Sequence, residues 1–267
     1  MGKEKIKFRD ANIAYTVSGK GNTLVLLHGF LESTLIWRDF VSVLEKHFKI
    51  VCIDLPGHGE SDCIGYVHEM EMNAEVVYAI LQHLEIKNGV MAGHSMGGYV
   101  TMAFAEKYPE LLKGICLFHS TALPDSIEKQ RDRDRTIHIV KKDAMTFIRA
   151  VIPNLFAPVN KDKCKTETDE LIARAAQMPT QGIIATLEGM KIRKDRTQVL
   201  KDVNVPVLII AGKQDTAVPF DSLLPQLALP KHCEALILDN VGHTGFIEAK
   251  EETLNVLFNF AKSCQKN

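Results

Sequence analysis

Gly89-Val90-Met91-Ala92-Gly93-His94-Ser95-Met96-Gly97-Gly98-Tyr99 is the stretch on which the reading of this chain turns. Val90 to Ala92 make a short apolar run suited to a buried strand, and the residues from Met96 onward suit a helix. A serine is thereby set at a strand-to-helix joint between two glycines. Backbone angles at such a joint are strained for most residues and flanking side chains would collide, so Gly93 and Gly97 are what the turn requires. The hydroxyl of Ser95 then stands proud of the sheet edge. The N–H of Met96 falls at a helix start, where unpaired donors and the helix dipole favour negative charge. A glycine-rich turn that only packs a helix on a strand would carry the same pattern, so the rest of the chain must decide between packing and chemistry.

The chain has 267 residues, 46% of them hydrophobic, enough for one large core with an inserted subdomain. A formal net charge of -1 supplies no global field toward nucleic acid or anionic membrane, and neither partner is expected. The cations of Met1 to Lys7 are followed by no apolar run, and no stretch reaches the roughly 18 apolar residues of a spanning helix. A cytoplasmic protein is the expectation. Cys52, Cys63, Cys116, Cys164, Cys233 and Cys264 show no metal-ligand spacing, which points to reduced structural thiols and no metal site.

Upstream of the serine, Ile6 to Val17 reads as a strand pair and Thr23 to Leu27 as a strand covered on both faces. The latter ends in His28-Gly29-Phe30 at the carboxyl edge of the sheet, where open α/β sheets bind ligands. The N–H of Phe30 is placed there as a second oxyanion donor beside that of Met96, with the Phe30 ring lining the pocket. His28 is expected to bond a neighbouring loop, and Asp54 and His58 to hold closed the turn-rich loop from Asp54 to Ser61. Trp37 to His47, Glu69 to Leu84 and Gly98 to Tyr108 have helical spacing, while Lys49 to Ile53 and Gly114 to Phe118 read as strands. This alternation means a parallel sheet with right-handed crossovers.

Beyond residue 122 the alternation breaks. Leu123 to Thr197 holds only helical stretches, Asp143 to Leu155, Thr168 to Met178 and Thr180 to Met190, each opened by an Asp or Thr suited to capping. The chain therefore divides into residues 1–122 as a first core segment, 123–197 as an inserted helical cap, and 198–267 as the second core segment. Val205 to Gly212 resumes the sheet and delivers Asp215 to the next loop. Ala235 to Leu238 is the last strand, followed by Gly242-His243 and a closing helix from Glu248 to Lys262.

A serine hydroxyl is a poor nucleophile at neutral pH and needs a base to take its proton and a buried acid to orient that base. Ser95, Asp215 and His243 stand on sheet-edge loops, in the chain order expected on an α/β-hydrolase sheet. Asp125, on the loop after Phe118, is the alternative acid, less directly placed after a strand.

Taken together, His28-Gly29-Phe30, the segment Asp54 to Ser61, Gly93-His94-Ser95-Met96-Gly97-Gly98, Gly212-Lys213-Gln214-Asp215 and Gly242-His243 resemble the α/β-hydrolase superfamily. The resemblance implies an α/β fold of eight mostly parallel strands with helices on both faces and a helical cap between the sixth and seventh strands. It implies Ser95 as nucleophile, Asp215 as acid, His243 as base, and the N–H groups of Phe30 and Met96 as oxyanion donors. Haloalkane dehalogenases and soluble epoxide hydrolases of that superfamily use an aspartate nucleophile, from which Ser95 separates this chain. The implied activity is hydrolysis of small carboxylic esters through an acyl-enzyme, without metal or organic cofactor. A lyase resembling the one that makes the menaquinone precursor, a carbon-carbon bond hydrolase and a perhydrolase would keep the same three residues; a hydrolase-like receptor or scaffold would keep the fold. The sequence leaves the oligomeric state open. Apolar cap residues such as Phe147, Val151, Leu155 and Leu187 predict a preference for short to medium uncharged acyl groups. An arginine turned inward, from among Arg131, Arg133, Arg135, Arg149, Arg193 and Arg196, would favour a carboxylate instead.

Overall fold

The computed structural model describes residues 2–265, and Met1, Lys266 and Asn267, the outermost positions of the two expected core segments, lie outside the described residues. Leu24, Val25, Leu26 and Leu27 are all but wholly buried, so the strand they form is covered on both faces, as a continuous apolar run demands. Around it the chain builds an eight-stranded sheet. β1 (Glu4–Phe8) and β2 (Ala11–Ser18) form an antiparallel hairpin turned at Arg9, whose φ is 54°. β3 (Thr23–Leu27) and β4 (Lys49–Ile53) are parallel neighbours, and β4 also pairs antiparallel with β2. β5 (Gly89–His94) pairs with β3, β6 (Leu112–Phe118) with β5, β7 (Val207–Gly212) with β6, and β8 (Cys233–Leu238) with β7, all parallel. The order across the sheet is β1-β2-β4-β3-β5-β6-β7-β8.

The helices follow the expected crossovers with shifted ends. α1 (Arg38–Leu44) is preceded by a 3-10 turn at Thr34–Trp37, and α2 (Met70–His83) and α3 (Met96–Lys107) lie close to their expected bounds. Between β6 and β7 come α4 (Ile127–Lys142), α5 (Ala144–Val151), α6 (Lys165–Ala175), α7 (Thr180–Lys191) and α8 (Thr197–Asp202). After β7 come α9 (Phe220–Leu223), α10 (Gly245–Glu248) and α11 (Lys250–Ser263). The expected closing helix is interrupted at Ala249, which leaves the helical region at φ -140° and ψ 52°.

Two expectations for the inserted region need correction. α4 was not anticipated, because only Ile137 and Val140 of its side chains are buried and the rest of it is largely charged, which erases the apolar period that betrays a helix. Its signal is at the ends instead: the Ser126 hydroxyl accepts from the Lys129 N–H at 3.2 Å, and Lys141 and Lys142 occupy the last turn. Asp143 caps α5 as expected, accepting from the N–H groups of Met145 and Thr146. Thr168 and Thr180 do not cap. Thr168 lies inside α6 and donates to the Cys164 carbonyl at 2.8 Å, while Thr180 follows Pro179 at a helix start without a side-chain cap.

α7 is held close to the core by shape. A Cβ on Gly189 would collide with the backbone carbonyl of His68, in the loop before α2, so that helix can approach the loop only through a glycine.

Candidate active site

Ser95 sits at the end of β5 with φ 49° and ψ -115°, a left-handed conformation that costs on the order of 1–3 kcal/mol for a side-chain-bearing residue. The surroundings enforce it. A Cβ on Gly93 would run into the Gly97 carbonyl, and one on Gly97 into the Leu27 carbonyl. The Ser95 N–H donates to the Phe118 carbonyl at 2.9 Å, and the Ser95 carbonyl accepts from the Ser120 hydroxyl at 2.7 Å. The elbow is thereby pinned to β6 and to the loop after it.

The three residues expected to act together are together. Ser95 Oγ lies 2.8 Å from His243 Nε2, and His243 Nδ1 lies 2.8 Å from Asp215 Oδ2. Asp215 Oδ1 accepts from the N–H groups of Ala217 and Val218, each at 2.9 Å. Burial alone would raise the Asp215 carboxyl pKa, but the neighbouring His243 and His119 hold it well below the usual carboxylate range. Asp215 is therefore an anion facing the imidazole. With Nδ1–H of His243 donated to that anion, Nε2 is left as the acceptor for the serine proton.

Asp125, the alternative acid, is engaged elsewhere. It accepts from Arg133 Nε at 2.6 Å and from Arg193 Nη1 at 2.5 Å. Phe30 lines the same pocket as Ser95, in a loop closed by the Gly29 N–H donating to Glu32 Oε2 at 2.6 Å. Met96 opens α3, so its N–H is in the first turn, which has no helical acceptor. His28 Nδ1 donates to the Gly29 carbonyl at 2.7 Å, and its Nε2 accepts from the Leu55 N–H at 3.0 Å. Asp54 accepts from the N–H groups of Thr34 and Glu60, closing its loop, while His58 Nδ1 bonds the Pro56 carbonyl at 3.1 Å.

Three neighbours of Ser95, His243 and Asp215 escaped sequence reasoning. His119, buried just past β6 with φ 48°, places Nδ1 3.2 Å from Asp215 Oδ2. It is a second donor on the acid, and its position after a strand at the working edge was the available signal. Glu32 and His94 form the other pair. His94 Nδ1 lies 2.9 Å from Glu32 Oε2, and its Nε2 lies 2.9 Å from the backbone carbonyl of His243. Both partners are acceptors, so both ring nitrogens carry protons and His94 is an imidazolium. This buried ion pair ties the elbow to the loop carrying Gly29 and Phe30 on one side and to the His243 backbone on the other.

Burial, the largest single influence, lowers the His94 pKa, but the Glu32 charge, the hydrogen bonds to Glu32 and the His243 carbonyl and the Asp215 charge together outweigh it, so the net shift is upward. The Glu32 pKa is likewise lowered, against its own burial, by His94 together with the Gly29 N–H and His28. The pair's contribution is then fully present between the ordinary values of 4.5 and 6.5. It is lost as pH falls through the lowered Glu32 pKa or climbs through the raised His94 pKa. Glu32→Gln breaks it, at a cost of about 3–5 kcal/mol for a buried pair deprived of one partner. The expected result is a Tm gap between wild type and variant that is widest at mildly acidic pH and narrows on the alkaline side. A gap independent of pH in paired thermal melts would contradict the charged assignment.

The inserted segment between β6 and β7 reaches the working loops directly. The His243 N–H donates to the Leu155 carbonyl at 2.6 Å, the Thr216 hydroxyl donates to the Asn154 carbonyl at 3.2 Å, and Glu248 accepts from both Ala157 N–H and Gly242 N–H. Base and acid loops are thus anchored to the insertion. Above Ser95 lies a pocket of about 260 Å³. A larger hollow of about 660 Å³ beside α8, lined by Glu106, Glu110, Asp195 and Asp202, holds no nucleophile next to a base. Among the described residues the grouping able to present metal ligands is His119, Asp215 and His243, whose ligand atoms already bond one another across Asp215 Oδ2. No helix among the described residues is long and apolar enough to cross a membrane.

A parallel sheet with a serine elbow at its carboxyl edge, and an acid and a histidine on the last two edge loops, is the architecture of a hydrolase. The chain belongs to the alpha/beta hydrolase fold family, whose profile matches residues 22–159. An uncharacterized hydrolase of Bacillus subtilis (strain 168), YugF, is 26% identical over 243 residues, covering 86% of this chain and 85% of that protein. A 2-hydroxy-6-oxononadienedioate/2-hydroxy-6-oxononatrienedioate hydrolase of Paraburkholderia phymatum is 26% identical over 271 residues, covering 94% of this chain and 91% of that protein. The solved structure of a thermophilic esterase from Thermogutta terrifontis matches with a TM-score of 0.93 at 26% identity, over 99% of each chain.

Proposed function

We propose that this hydrolase cleaves small carboxylic esters through an acyl-enzyme on Ser95, as a cytoplasmic enzyme that needs neither metal nor organic cofactor. The observation that carries this reading is the unbroken series of contacts from Ser95 Oγ to His243 to Asp215, each of 2.8 Å. Its chemistry follows from the proton inventory. Ser95 Oγ attacks the ester carbonyl as its proton passes to His243 Nε2, and the new imidazolium is stabilised by Asp215. The carbonyl oxygen becomes an oxyanion facing the N–H groups of Phe30 and Met96. Collapse breaks the carbon–oxygen bond, and His243 gives its proton to the departing alcohol. Water then attacks the acyl group, loses its proton to His243, and Ser95 leaves with that proton restored. The helices of residues 123–197 act as a cap that bounds the substrate. The esterase named among the similar structures supports ester chemistry, and six free cysteines accord with a reducing compartment.

Incubation with a serine-directed fluorophosphonate followed by peptide mapping tests the nucleophile, and a nitrophenyl ester series from acetate to long acyl chains tests the chemistry. The expected outcome is label on Ser95 and turnover of the shorter esters. Label elsewhere, or folded protein that takes none, would sink the assignment.

A further inference from the structure

The walls of the pocket over Ser95 differ in kind. Phe147, Val151, Leu155, Leu187 and Met190 make one side apolar, while Lys129, Arg133 and Thr136 of α4 line the other. Spacings of four and three residues put those three side chains on one face of the helix. The sequence had left open which cap arginines turn inward. Arg131, Arg135 and Arg149 are exposed, and Arg196 turns to Glu71 and Glu106, so Arg133 is the arginine lining this pocket, with Arg193 directly behind it.

The charge balance on that wall is uneven. Arg133 and Arg193 share a single carboxylate, Asp125, and Arg193 also lies over the ring of Tyr99, 4.1 Å from its centroid. Arg133 spends Nε and Nη2 on Asp125, and among the described residues Nη1 has no partner. Lys129 has no carboxylate partner among the described residues; its ammonium donates to the Ala217 carbonyl at 2.5 Å. The nearby acids are committed. Glu32 is matched by the His94 imidazolium, and Asp215 accepts from two imidazoles and two backbone N–H groups. Three cations therefore face one available carboxylate in a site where the Arg133 side chain is only 14% exposed. Cations so enclosed are ordinarily paired.

We propose that the missing counter-charge is the substrate's: Arg133 and Lys129 form a subsite for a carboxylate at the far end of the acyl chain. This makes the preferred substrates half-esters of short dicarboxylic acids. The inference rests on the ester reading above and replaces the uncharged acyl preference expected from the apolar cap residues alone. A guanidinium edge meets a carboxylate in plane through charge-assisted hydrogen bonds, and an ammonium adds a compact charge beside it. The apolar wall takes the intervening methylenes. A volume of about 260 Å³ lies just under the roughly 300–1,000 Å³ of sites for drug-sized ligands, which fits a short chain.

Monomethyl glutarate and its amide counterpart, in which a carboxamide of the same shape replaces the free carboxylate, separate the alternatives. Wild type is expected to favour the anionic ester in kcat/KM by roughly ten- to a hundredfold, the range of one or two charged hydrogen bonds. Arg133→Gln and Lys129→Met should each cut that ratio, and the double variant should bring it near one. Glutarate should raise the Tm of wild type where glutaramide does not, and Lys129→Met, which loses only a carbonyl contact, should weaken that shift without a folding defect. Equal kcat/KM for the two esters in wild type, with Ser95 still acylated by fluorophosphonate, overturns the subsite and leaves the ester reading standing. Turnover of neither ester together with no acylation overturns both.

Discussion

Ser95→Ala is expected to lower kcat for any ester by a factor on the order of 10⁶, the size of loss seen when the nucleophile of a serine triad is removed. The substitution deletes Oγ and nothing else of consequence. The side chain's bond is to His243 Nε2, while the elbow is held by backbone contacts to Phe118 and Ser120 that alanine keeps. Alanine also bears the φ of 49° no worse than serine, because both carry a Cβ. Thermal unfolding should therefore be nearly unchanged while turnover and fluorophosphonate labelling disappear together. A variant within tenfold of wild-type kcat would move the nucleophile elsewhere.

The sheet was legible because its centre is locally encoded. Thr23–Leu27, Lys49–Ile53 and Val207–Gly212 are short runs buried along most of their length, and turn residues bound each one. The serine elbow was legible for a related reason, since Gly93 records a backbone contact made with Gly97, within a few residues of Ser95, although the contact that demands Gly97 is a distant one, with the end of β3 at Leu27. β8 was read two residues short, from Ala235, because as an edge strand it begins with the half-buried Cys233 and the exposed Glu234. α4 was missed because its face toward the core is only two side chains wide. What the sequence hides in the site is long-range pairing. Glu32 meets His94 across 62 positions and His119 meets Asp215 across 96, and although His94 and His119 stand at strand ends on the working edge, nothing local names the acid each one meets. The Arg133 orientation belongs to the same category, set by Asp125 and Arg193 together. The two histidine pairings are created by strand order, which brings β3, β5, β6 and β7 side by side.

Asp215→Asn and Asp125→Asn are nearly isosteric changes at the two acids the sequence offered, and their effects should separate cleanly. At Asp215 the amide orientation is dictated, because the N–H groups of Ala217 and Val218 both donate to Oδ1 and so claim the amide oxygen. The NH₂ group must then occupy the Oδ2 position, toward which His243 Nδ1 and His119 Nδ1 both point. A donor there is compatible with His243 only if Nδ1 gives up its proton. The proton moves to Nε2, which now donates toward Ser95 Oγ and cannot accept from it, and the anion that would stabilise an imidazolium is gone. A loss in kcat of about 10⁴-fold is expected, as for other triads with the acid so replaced. Asp125→Asn removes instead the carboxylate shared by Arg133 and Arg193. Its cost is expected in stability, about 3–5 kcal/mol for buried cations left without their partner, with kcat on a neutral ester far less affected. Parallel measurement of kcat and Tm for the two variants decides the matter. If Asp125→Asn proved the more damaging to kcat while its fold persisted, the acid would have to be reassigned to the loop after β6, and His243 would need a different orientation during turnover from the one bonded to Asp215.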